Sequence, residues 1–104
     1  MPVLTLASDI DTYIQNSAMG SPVTGEMILN AVSQFNVDVP LLVAIMQNDS
    51  AFGTLGVGAN TFNPGNVGNT GTETRNYGSW QEGVTAVAEW LNGHRVVTTT
   101  PIQL

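Results

Sequence analysis

Cysteine is absent from the chain, so it can form no disulfide framework, thiol nucleophile or thiolate metal site. Basic side chains are nearly absent too. Arg75 and Arg95 stand against eight acids, for a net charge of −6. So few cations cannot neutralise a row of phosphates, which argues against nucleic acid and against an anionic membrane surface as partners. No apolar run approaches the length of a membrane span. The opening "MPVLTLASDIDTYIQNS" has no basic leader and meets acids by Asp9, so it does not read as a signal peptide. Charge of either sign is scarce, at 10% of residues, and solubility must lean on Asn, Thr, Ser and Gln. No group of residues has metal-ligand spacing, and no cofactor is expected.

What is present suffices for one core. The chain has 104 residues and is 42% hydrophobic, which fits a single domain over 1–104. Its core is expected over about 8–95. The Thr-rich end, 96–104, reads as a tail or the start of a linker.

Four helices are predicted from apolar spacing. Ser8 is the expected N-cap of the first, which carries Ile10, Tyr13 and Ile14 and runs to about Ala18. A turn built on Gly20, Pro22 and Gly25 follows. The second helix, from about Thr24 to Phe35, has a stripe of Met27, Ile28, Ala31, Val32 and Phe35. Asp38 should cap the third, with Pro40 in its first turn and an end near Asp49 or Ala51. "SWQE" reads as a capping box, with Ser79 as N-cap and Glu82 at N3. Val84, Val87, Ala88 and Leu91 then mark the last helix, which Gly93 should close.

Residues 53–78 are crowded with Gly, Asn and Thr and have no helical period. A segment this long in a small domain is usually functional or disordered, and Phe62, Val67 and Tyr77 favour order. It is expected to form a loop or short hairpin lobe.

Asp49 raises the functional question. With Leu42, Ile45 and Met46 it stands at i, i+3, i+4 and i+7, on the stripe expected to face the core. Burial and the helix C-terminus would each disfavour its charged form and raise its pKa. A carboxylic acid kept protonated is what protonates a glycosidic leaving oxygen. The plainer reading is a polar turn with Asn48 and Ser50.

The segments "LLVAIMQNDSAFGT", "FNPGNVGN" and "YGSWQEGVTAVAEWL" together resemble the lysozyme-like peptidoglycan glycosidases. That group includes bacterial glucosaminidases, lytic transglycosylases and goose-type lysozymes. The resemblance covers roughly residues 24–95. It implies a mainly α, lysozyme-like α+β fold of about four helices, with a small loop or β-hairpin lobe walling a cleft. It implies cleavage of β-1,4 bonds in peptidoglycan strands by a monomeric, extracellular or wall-associated domain of a longer protein. Asp49 would be general acid and then base, by hydrolysis or by lytic transglycosylation. Glu73 would be the second carboxylate, unless it is a solvated loop residue paired with Arg75. Ser50, Asn63, Asn66 and Tyr77 would contact the sugar, although turn chemistry and packing explain them equally well.

One position departs from the family pattern, which has Glu where this chain has Asp49. The shorter side chain withdraws its oxygens by about one C–C bond, about 1.5 Å. A site adapted to Asp, a weakened enzyme, or an inactive glycan-binding or structural domain would each fit. Glu82, Glu89, Glu26 and Asp9 are explained by helix ends and solvated faces. Trp80 and Trp90 are expected in the core, and His94 has no expected role.

Overall fold

The computed structural model describes residues 6–69 and 75–94. Five helices appear among them: α1 Ala7–Ser17, α2 Gly25–Phe35, α3 Val39–Ser50, α4 Gly56–Asn60 and α5 Trp80–His94. The described residues contain no strand. This corrects the expected α+β fold, and the expected 96–104 tail falls outside the described residues.

The helix starts follow local chemistry at three of the four long helices. Thr24 caps α2, its hydroxyl accepting from the Met27 amide at 3.3 Å. Asp38 caps α3 through the Leu41 amide at 3.0 Å, and Pro40 sits in that first turn, where its missing N–H costs nothing. The Ser79 hydroxyl accepts from the Glu82 amide at 3.2 Å. Glu82 reaches back to the Gly78 amide at 3.3 Å, one residue before the expected capping-box partner. At α1 the expectation fails. Leu6 occupies the cap position without a side-chain bond, and Ser8 lies inside the first turn. Gly93 does not end α5, which continues to His94.

The core joins Ile10 and Ile14 of α1, Ile28 and Ala31 of α2, Leu42, Val43 and Met46 of α3, and Val84, Val87, Ala88 and Leu91 of α5. The contact between α2 and α5 is the most extensive in the fold. Polar side chains reinforce it: the Gln81 amide donates to the Met27 carbonyl at 3.0 Å, and Asn30 donates to Gln81 at 3.3 Å.

The rotation of α3 differs from the expected one. Its buried residues are Leu42, Val43, Met46 and Ser50. Ile45 is half-buried and Asp49 exposed, so the stripe drawn through them runs along the flank of the buried face.

After α3 the chain turns sharply rather than extending. Ala51, Phe52 and Gly53 have φ of 49°, 56° and 79°, three left-handed residues in succession. The Ala51 amide donates to the Gln47 carbonyl and the Phe52 amide to the Met46 carbonyl, each at 3.1 Å. Phe52 is thereby turned into the core, where it is fully buried. Further left-handed residues follow at Gly56, Phe62, Asn66 and Gly68. Each interrupts the extended backbone that a strand needs. This is why the described part of the Gly- and Asn-rich segment forms packed turns and the short helix α4, without a hairpin.

Candidate functional site

The turn segment packs down on α3 through Ser50. Its hydroxyl donates to the Pro64 carbonyl at 2.6 Å and accepts from the Gly53 amide at 2.8 Å. Its carbonyl accepts from the Thr54 and Leu55 amides, both at 2.9 Å. Asn63 plays a similar part further along. Fully buried, it donates to the carbonyls of Val67 at 2.9 Å and Arg75 at 3.1 Å, and accepts from the Val67 amide at 2.9 Å. A side-chain amide here satisfies backbone groups that a strand partner would otherwise hold.

These ties set the 65–69 turn opposite the C-terminal half of α3, with α5 forming the floor and one end. The result is an open cleft of about 880 Å³. Its polar lining is Gln47, Asn48, Asp49, Asn66 and Asn69. Val87 and the half-exposed Trp90 supply the apolar surface from α5. Asn66 is held in place, donating to the Asp49 carbonyl at 3.0 Å and accepting from Asn69 at 3.0 Å. Gln47 is oriented from behind by the Tyr13 hydroxyl, which donates to it at 2.7 Å.

Desolvation in the cleft holds the Asp49 carboxyl above its ordinary pKa. The side chain is nonetheless exposed, not buried among core residues as the sequence pattern suggested. Asp49 and Asn66 share the cleft. Ser50 and Asn63 are buried beneath the turn segment and commit their polar atoms to backbone partners. Tyr77 is half-buried outside the cleft lining, its amide donating to the Thr61 carbonyl at 2.9 Å and its ring under the Arg75 guanidinium, 5.4 Å from the ring centroid. Glu73 lies outside the described residues.

Gln47, Asn48, Asn69 and Trp90 line the cleft and were not singled out by the sequence pattern. Trp90 was expected in the core and is instead half-exposed. It stands three residues after Val87 and one before Leu91, on the edge of the buried stripe, where a large ring is half-covered. Trp80, by contrast, is half-buried against Phe62, with ring centroids 5.3 Å apart in an edge-to-face arrangement.

Nothing matches. No family model, no curated protein and no solved structure is similar enough to this chain to assign it to a family.

The geometry overturns the expected peptidoglycan glycosidase, whether lysozyme, glucosaminidase or lytic transglycosylase. That expectation placed a loop or β-hairpin lobe of an α+β fold over the cleft, and the described residues form helices and turns alone, with no strand. Nor do they gather the acids of a catalytic cluster: Asp49 is the one carboxylate on the lining, and no group of three or more His, Cys, Asp or Glu side chains could hold a metal ion among the described residues. An exposed acid beside neutral amides can bind a ligand, but among the described residues no second carboxylate stands beside it as in a glycosidase that uses two.

Proposed function

We propose that this chain is a non-catalytic binding domain whose α3–α5 cleft holds a short stretch of glycan, of the kind found in cell-wall strands. The observation that carries the reading is the pairing of a half-exposed Trp90 with a row of side-chain amides in one open cleft. A tryptophan ring offers a flat apolar surface to the C–H face of a sugar. Amides both donate and accept, which suits hydroxyl groups presented at the sugar's edge. The volume accommodates a few sugar rings and falls within the range of small-ligand clefts. An extracellular or wall-associated setting and a monomeric state go with this ligand.

The test is titration with defined cell-wall oligosaccharides, followed by amide chemical shifts and by tryptophan fluorescence. Shifts should concentrate at residues 44–49, 65–69 and 87–90. Trp90→Ala should weaken binding about tenfold, the value of one good aromatic contact. Saturable binding that Trp90→Ala leaves unchanged would reject the cleft as the site.

A further inference from the structure

The cleft is electrostatically one-sided. Among the described residues, Asp49 is the one ionisable side chain on its lining. Among the described residues, Arg75 and His94 make other contacts. The Arg75 stem lies against Gly68, but its guanidinium sits over the Tyr77 ring. His94 is stacked on Trp90, with ring centroids 4.5 Å apart, and its Nδ1 lies 2.9 Å from the Trp90 carbonyl oxygen. Part of the amide donor capacity is also spent within the protein, because Asn66 donates to the Asp49 carbonyl and Asn69 donates to Asn66. An acetamido carbonyl entering the cleft therefore meets fewer free donors, while a cation meets an unshared carboxylate.

We propose that the cleft takes glycans bearing free, protonated amines in preference to their N-acetylated counterparts, with Asp49 pairing the ammonium and Trp90 covering the sugar's apolar face. The inference rests on the glycan-binding reading and deepens it. An ammonium donating to a carboxylate forms a charge-assisted bond that an acetamide cannot match. A cation near an indole face gains further attraction. The net charge of −6 draws polyamine ligands in and repels anionic ones. Because Asp49 is exposed, water and salt screen the pair, and the preference is modest.

The experiment is calorimetric titration of the whole chain at two salt concentrations and at mildly acidic pH, where sugar amines carry their protons. The ligands are β-1,4-linked glucosamine oligomers and N-acetylglucosamine oligomers of equal length. The amine form should bind about fivefold tighter at low salt, with the margin narrowing at high salt. Asp49→Asn should abolish the margin. Asp9→Asn removes the same charge from an exposed site on α1, outside the cleft, and should preserve it. Equal binding of the two oligomers, or tighter binding of the acetylated one, overturns the preference and leaves the glycan reading standing. A margin that survives Asp49→Asn, or that Asp9→Asn also removes, reduces the effect to bulk charge and overturns the preference. Failure of both oligomers to bind overturns both proposals.

Discussion

At the scale of single residues, Ser50 and Asp49 are neighbours with opposite surroundings. Ser50 is buried, and its hydroxyl joins the Gly53 amide to the Pro64 carbonyl. Ser50→Ala strands both groups, and its expected cost is about 1–3 kcal/mol in chemical denaturation. Asp49, one residue earlier, faces the cleft, where burial raises its pKa. A carboxyl whose pKa is higher folded than unfolded binds its proton more tightly when folded. Its ionised form therefore costs stability above the folded pKa. That cost fades as pH falls through the folded pKa and is gone below the ordinary carboxyl value. Asp49→Asn should accordingly be slightly more stable than the parent at neutral pH, and the two melting temperatures should converge on acidification. A parent that gains nothing on the variant as pH falls would contradict the raised pKa.

Among the elements, α5 shows how a short signal sets a long boundary. The Ser79 hydroxyl satisfies one of the amides that the first turn of a helix leaves without a partner. Ser79→Ala should lower stability by about 1 kcal/mol, read as a shifted denaturation midpoint with an unchanged slope. The first helix lacks this device, since Leu6 at its cap position makes no side-chain bond. Its start depends instead on packing: Gly25 at the head of α2 lies against the Ala7 carbonyl, closer than any larger residue permits, and its amide donates to Asp11 at 2.6 Å. The two helices of equal length, α1 and α2, thus begin for different reasons: the Thr24 hydroxyl caps α2 locally, and α1 starts against the head of α2.

Across the whole molecule, the turn segment is bound to the helices by close backbone approach. A methyl group at Gly83 of α5 would collide with the Phe62 carbonyl, and one at Gly65 would stand 2.5 Å from the Val87 side chain. These contacts let α5 serve as both core helix and cleft floor. Gly83→Ala must separate α5 from the turn segment, and an expected cost of about 3 kcal/mol follows from overpacking against rigid backbone. It should also broaden or shift the amide signals of cleft residues 65–69, which a purely local change in α5 would spare. Thermal unfolding followed by far-ultraviolet circular dichroism and by Tyr and Trp fluorescence tests the first part. In the parent the two probes should report one transition, because the cleft walls and the core share the same helices.

The sequence alone determined the four long helices, the Asp38 cap of α3, the Ser79 cap of α5, and the apolar residues of α1, α2 and α5 that pack inward. These follow from forces within a few residues, namely hydroxyl or carboxylate caps and the 3.6-residue period. It also drew attention to Asp49 and Asn66. Tertiary structure decided the rest. The rotation of α3 depends on what packs on each side of it, and only the arrival of Phe52, Pro64 and Val87 exposes Asp49 and buries Ser50. The turn segment had no period to read, because its shape is set by left-handed residues and by the contacts of Ser50 and Asn63 with backbone distant in sequence. For the same reason the cleft's Trp90 was hidden among core residues. A ring on the edge of a buried stripe is covered or left open by the neighbouring elements, and no spacing along its own helix records which.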